Sequence, residues 1–187
     1  MEGDTMIFEP YIELKDGDKI SVIIRMMQQS DAERTKKKPV WQTDWTSEYI
    51  ETSLYEKYAV ETADGELIAL GMYEVLERAL VVRVVYMESQ PESNPTLAGA
   101  KRKYSGIGKL MIAYGIKLSI DHGFGGDVIL EAKTDALAAH YQDDFGGIEL
   151  PAFDGRPCPA GSGRQRLCDL NYERKPVQCL YEGCGER

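Results

Sequence analysis

Lys103-Tyr104-Ser105-Gly106-Ile107-Gly108-Lys109 is the stretch on which the fold turns. It follows a valine-rich run, Leu80–Glu88, that reads as a strand. It opens a run, Gly108–His122, that reads as a helix, because Ile107, Leu110, Met111, Tyr114 and Leu118 recur at helical spacing. Two glycines at the mouth of a helix let backbone N–H groups approach an anion closely, and the positive end of the helix dipole points at the same place. This is the geometry of a diphosphate cradle. Over Ser105 to Leu110, the N–H groups of Gly106, Ile107, Gly108, Lys109 and Leu110 would make the bonds, with charge added by Lys103 and Lys109. The stretch lacks the Gly-Lys-Ser/Thr ending of a nucleotide P-loop and the third glycine of a dinucleotide fingerprint.

Working outward, Phe8–Leu14 and Lys19–Arg25 alternate around Asp16-Gly17, which predicts a hairpin, and Pro10 predicts that its first strand lies at a sheet edge. Residues 28–39 are polar and predict a short helix and a loop ending in a lysine run. Ser47 caps an expected helix to about Lys57, with Ile50 and Leu54 on one face. Tyr58–Thr62 and Glu66–Val75 flank Asp64-Gly65 and predict a second hairpin with a type I′ turn. Leu80–Glu88 should be central and covered on both faces. Asp127–Lys133 predicts a strand. Thr134 or Asp135 caps a helix through about Phe145, with Leu137, Tyr141 and Phe145 stacked, and Gly146-Gly147 stops it. The tail from Pro151 is loop-like, with a strand around Arg166–Asn171.

The 187 residues suit one domain with a substantial core. A charge of −9 argues against non-specific nucleic-acid binding and fits a cationic acceptor such as an amine. Arg83 and Lys117 interrupt the two longest apolar runs, so neither reaches the roughly 20 residues of a membrane span. The acidic start, Met1-Glu2-Gly3-Asp4, does not read as a secretory signal, so a cytoplasmic location is expected. Cys158, Cys168, Cys179 and Cys184 all fall in the tail. They read as reduced thiols; no CxxC pair exists, only Cys179 and Cys184 are closely spaced, and no metal is expected.

The loop Lys103 to Gly108 resembles the [Q/R]-x-x-G-x-[G/A] loop of the GCN5-related N-acetyltransferase superfamily, with Lys103 in place of Gln or Arg. The element order resembles that family too, over roughly residues 19–150 and most sharply over 80–147. The resemblance implies an α/β fold with a mixed, mainly antiparallel sheet flanked by helices. An N-terminal strand and the cysteine-containing tail, 151–187, stand outside the match. It implies acetyl-CoA as acyl donor, its pyrophosphate on the loop and its thioester beside Tyr86-Met87-Glu88. The central strand is expected to splay from its neighbour so that its backbone pairs with the pantetheine arm.

Under that resemblance Tyr141 matches the tyrosine whose hydroxyl protonates the leaving thiolate. Gly146 follows it by five residues where the family usually has four. Glu88 is the favoured carboxylate to take the amine's proton, and Glu131 is its rival. Transfer would be direct, in a ternary complex without a metal. The alternative is a catalytically inactive acyl-CoA-binding or protein-interaction module. Trp41, Trp45, Tyr49 and Tyr55 suit a small amine, a peptide N-terminus or a lysine side chain equally. Ser89–Arg102 is long for its place and reads either as a wall of the acceptor pocket or as a plain insertion. His122 and His140 read as structural. The oligomeric state, a homodimer among the options, is left open.

Overall fold

In chain order the elements are β1 (Ile7–Phe8), β2 (Tyr11–Leu14), β3 (Lys19–Met26), α1 (Gln29–Thr35), α2 (Glu48–Thr52), β4 (Glu56–Thr62), β5 (Leu67–Leu76) and β6 (Val81–Ser89). After a 3-10 turn at Pro91–Ser93 come β7 (Tyr104–Ser105), α3 (Ile107–Asp121), β8 (Val128–Ala132), α4 (Asp135–Phe145), β9 (Ile148–Leu150), β10 (Arg166–Leu170) and β11 (Tyr181–Glu182). The computed structural model describes residues 7–94, 97, 102–132, 134–150, 166–170 and 181–182. It divides into two compact units, one of residues 9–73 and 86–111, the other of the described residues of 1–8, 74–85 and 112–187. The chain passes between them after Phe8, within β5, between Val85 and Tyr86 of β6, and within α3.

In the first unit the strand order is β7-β2-β3-β4-β5, with antiparallel pairing from Glu13↔Ser105 through Ile24↔Val60 to Val60↔Ala69. Both Asp-Gly hairpins close in the same way. Gly17 N–H donates to the Leu14 carbonyl and Gly65 N–H to that of Thr62, with φ of +90° and +79°. Asp64 is not left-handed, so the second turn is not type I′ as the sequence predicts. It is a three-residue loop whose glycine takes the left-handed place. Pro10 does not mark an edge. It precedes β2, which lies between β7 and β3, and its carbonyl accepts from Val22 N–H at 3.1 Å. Ile12, Val60, Ile68, Leu70 and Met72 are fully buried and form the core of this unit.

Helix α2 is shorter than expected. It ends at Thr52, Ser53 is extended, and β4 begins at Glu56. The Lys57 ammonium donates to the Ser53 and Tyr55 carbonyls, which pins the exit from the helix. Burial pulls the Lys57 pKa down. Leu54 therefore does not share the buried face of Ile50; it is wholly exposed.

In the second unit β6 pairs in parallel with β8 over Val82–Val84, β8 pairs antiparallel with β10, and β10 with β9. Among the described ladders β6–β8 is the one parallel pair, so the strands are mixed and mainly antiparallel. Beyond that pairing β6 continues to Ser89. Leu80, expected in this strand, is instead the last residue of the turn before it, with φ +54°. Val81, Val82 and Val84 are buried, but Val85, Tyr86 and Met87 are half-buried, so cover is complete only at the start of the strand. Helix α4 starts as the sequence predicts, with Thr134 Oγ1 accepting from Leu137 N–H, and ends on left-handed Gly146. It packs on β8, β9 and β10 through Ala138, Tyr141 and Phe145. Short β1 pairs with β11, and Phe8 packs against Tyr114 with ring centroids 6.1 Å apart. Among the described residues no helix is long and apolar enough to cross a membrane.

Candidate functional site

The loop from Lys103 to Leu110 lies within the first unit. Tyr104 and Ser105 form β7, Gly106 turns the chain with φ +78°, and Ile107 starts α3. An L side chain at Gly106 would be strained, although a Cβ there would meet nothing within 4 Å. A Cβ at Gly108 would likewise point into open space, and Gly108 has an ordinary helical backbone. The first-turn N–H groups of Ile107 and Gly108 have no intrahelical acceptor. Leu110 N–H, also expected to be a free donor, is used by the helix: it donates to the Gly106 carbonyl at 2.9 Å. An open, glycine-lined helix N-terminus of this kind fits a diphosphate.

Lys103 is not turned outward as a free cation. Its ammonium pairs with the Glu66 carboxylate at 2.7 Å and lies over the Tyr104 ring. The Tyr104 hydroxyl donates to the other Glu66 oxygen at 2.8 Å. Burial pushes the Glu66 carboxyl up, but the hydrogen bonds from Lys103 and Tyr104 outweigh it and hold it below its ordinary value. The same contact raises the Lys103 pKa. The 3-10 turn completes the fastening. Lys103 N–H donates to the Glu92 carbonyl and Tyr104 N–H to Ser93 Oγ, while Ser105 Oγ donates to Glu13. The early part of Ser89–Arg102 is thus a brace for the loop; residues 95, 96 and 98–101 lie outside the described residues.

Glu88, at the end of β6, is buried. Its Oε1 accepts from Gln42 N–H at 2.6 Å, and its Oε2 accepts from Thr43 N–H at 3.1 Å and the Trp45 indole N–H at 2.9 Å. Three of a carboxylate's roughly four acceptor positions are therefore taken. The Asn94 amide reaches the Gln42 side chain at 3.2 Å. Trp41 and Trp45 are buried, whereas Tyr49 is exposed and meets Tyr86 edge-on, with centroids 6.4 Å apart. Met87 is half-buried beside Glu88 in the strand. The first unit thus holds Tyr86, Met87, Glu88 and the whole 103–110 loop.

Tyr141 and Glu131 belong to the second unit. Tyr141 is buried, its ring packs near those of His140 and Phe145, and its carbonyl accepts from Gly146 and Gly147 N–H. Glu131 is exposed on β8 between buried Leu130 and Ala132. Cys158, Cys179 and Cys184 lie outside the described residues, and Cys168 is described only as backbone in β10.

Sequence reasoning missed Glu66 and the three donors on Glu88. Their partners lie 37 to 46 residues away, and no local pattern announces such a pairing.

No family model and no curated protein sequence matches the chain. Solved structures do match. The ribosomal-protein-S18-alanine N-acetyltransferase of Escherichia coli is similar with a TM-score of 0.53 at 13% identity, over 80% of this chain and 91% of that one. The chain has the fold of the GCN5-related N-acetyltransferase superfamily. A chimeric spermidine N-acetyltransferase from Vibrio cholerae shares this acetyltransferase fold with a TM-score of 0.55 at 14% identity, over 81% and 96% of the two chains. N-acetylglutamate synthase from Neisseria gonorrhoeae, solved with coenzyme A and L-arginine, is similar with a TM-score of 0.54 at 15% identity. That likeness covers 83% of this chain and 34% of the larger protein.

Proposed function

We propose that this protein moves an acetyl group from acetyl-CoA to an amine acceptor by direct transfer. The observation that carries this reading is the open first turn of α3 behind left-handed Gly106, in a chain with the acetyltransferase fold. Acetyl-CoA supplies the activated acyl group. The N–H groups of Ile107, Gly108 and Lys109 bind its pyrophosphate. The backbone of β6 beyond Val84 holds the pantetheine arm, with Tyr86 and Met87 beside the thioester. Tyr141 gives its proton to the departing sulfur as a general acid. Holding donor and acceptor together supplies much of the rate. The acceptor enters on the side of Glu88 and the 41–49 segment.

Calorimetric titration with acetyl-CoA, followed by free-thiol release over a panel of amines, tests this. Binding with turnover is expected, and Tyr141→Phe should cut thiol release by roughly 10²–10⁴-fold while leaving acetyl-CoA affinity unchanged. Binding without thiol release from any amine would leave a coenzyme-sensing module. No binding of acetyl-CoA or CoA by folded protein would end the acetyltransferase reading.

A further inference from the structure

We propose that Glu88 is a positioning residue of the acceptor site, a clasp that holds the 42–45 turn in place, and not the base that takes the amine's proton. The inference rests on the acetyltransferase reading above for what the turn is for, but the clasp itself stands on geometry. The carboxylate is buried, and all three of its donors come from a single turn, residues 42–45. That turn belongs to no helix or strand, so hydrogen bonds must supply its shape. Two of the donors are backbone N–H groups, which a buried turn has to satisfy, and the third is the indole of Trp45, itself 1% exposed. Asn94, just after the 3-10 turn, adds a tie to the Gln42 side chain.

The occupied lone pairs decide between the two roles. Oε2 already accepts two bonds, and Oε1 accepts one at 2.6 Å. A proton arriving on Oε2 would displace Thr43 or Trp45, and one on the open position of Oε1 would neutralise the carboxylate and weaken all three bonds to it. Acting as a base would therefore loosen the turn once in every cycle. Held as an acceptor throughout, the same carboxylate keeps the turn fixed. The turn also walls a hollow of about 220 Å³ between Thr35 and Asp44, bounded by Lys36, Val40, Trp41, Gln42 and Thr43. On the acetyltransferase reading, the clasp holds this turn as a wall of the acceptor site. The amine then loses its proton to water, so the acidic limb of the rate profile belongs to the acceptor and not to the protein.

The chain supplies its own reporter, since Trp41 and Trp45 are its two tryptophans and both sit at this turn. Glu88→Gln places an amide N–H₂ against N–H donors, and Trp45→Phe removes one donor while leaving the carboxylate intact. Three readouts are compared on wild type and both variants: tryptophan emission with acrylamide quenching, acetyl-CoA affinity by calorimetry, and the pH dependence of kcat/KM with two amines of different pKa. The clasp predicts red-shifted, more quenchable emission in Glu88→Gln and unchanged acetyl-CoA affinity. It predicts a KM for amine raised roughly tenfold in both variants, the equivalent of one buried hydrogen bond lost. It also predicts an acidic limb that follows the amine used and stays in place in Glu88→Gln. A limb that vanishes in Glu88→Gln at unchanged amine KM would overturn the proposal, as would unaltered emission in that variant. Failure of wild type to bind acetyl-CoA would instead overturn the acetyltransferase reading, and the emission data would still decide the clasp. Should Glu88→Gln not fold, Trp45→Phe decides alone, because a base with its carboxylate intact predicts no rise in amine KM.

Discussion

Gly106 and Gly108 stand two residues apart in the same loop, yet replacing each by alanine should have opposite consequences. Gly106 has φ +78°, where an L residue is strained by about 1–2 kcal/mol. Space is not the obstacle, since a Cβ there meets nothing within 4 Å. At roughly 2–4 °C per kcal/mol for a chain of this size, Gly106→Ala should lower Tm by about 2–8 °C. If the backbone relaxes instead, the turn opens and the Ile107 and Gly108 N–H groups swing off the anion. A hydrogen bond to a charged group contributes about 1.5–3 kcal/mol, so acetyl-CoA should bind roughly ten- to a hundredfold more weakly. Gly108 has ordinary helical φ and open space, so alanine there gains up to about 1 kcal/mol of helix propensity. Gly108→Ala should keep or raise Tm and keep the coenzyme. Thermal unfolding and calorimetry on the pair make the assay. If the two variants behave alike in both, the assignment of Gly106 as the turning point of a phosphate cradle is wrong.

Asp31→Ala should cost about 2–3 kcal/mol in urea unfolding at unchanged m-value. Its carboxylate is 1% exposed and takes two bonds from Arg25 and one from Gln28 N–H, and Arg25, part-exposed, keeps Glu61. Burial pushes the Asp31 carboxyl up, but Arg25 and Gln28 more than reverse it; Arg25 likewise holds Glu61 low. Both depressed groups stabilise the fold above their unfolded pKa values of about 3.9 and 4.3, and that stability is lost as pH falls through the lower folded values. Acid unfolding below about pH 4 should therefore be less steep in Asp31→Ala than in wild type. Glu66→Gln should cost under about 1 kcal/mol, because the Lys103 pair is part-exposed, and should free Lys103. Acetyl-CoA should then bind a few-fold tighter at low salt, with the gain gone in high salt; an unchanged Kd at low salt would count against a role for Lys103 at the cradle. Leu54→Ser should change stability by less than about 0.5 kcal/mol, since the side chain is wholly exposed.

Much of the scaffold is written in local signals. Asp16-Gly17 and Asp64-Gly65 fix two hairpins, Thr134 and Gly146 fix both ends of α4, and Gly106 fixes the start of α3. Such residues act through their own backbone, so a sequence window contains both cause and effect. The failures have a different origin. The expected helix to Lys57 treats Leu54 as a face residue, but the chain must be extended by Glu56 to pair with Tyr73. Leu80 reads as strand because it is apolar, yet the turn needs a left-handed residue there. The three-residue β9 has no periodicity to see and exists because β10 lies beside it. At the site, the glycine loop was legible, while the occupations of Lys103 and Glu88 were not. Both depend on which distant donor or acceptor the fold brings up, and charge alone does not say whether a side chain is already engaged.

The net charge of −9 and the pairing of Lys103 with Glu66 together bear on how a phosphate-bearing coenzyme would arrive. At a distance, such a ligand meets an acidic body in which Lys103 is already paired. Attraction begins only when it reaches the backbone dipoles of the first turn, a few ångströms out, well inside the roughly 8 Å over which physiological salt screens charge. Added salt would then weaken the repulsion more than the attraction, so capture would quicken as ionic strength rises. That is the reverse of an electrostatically steered encounter.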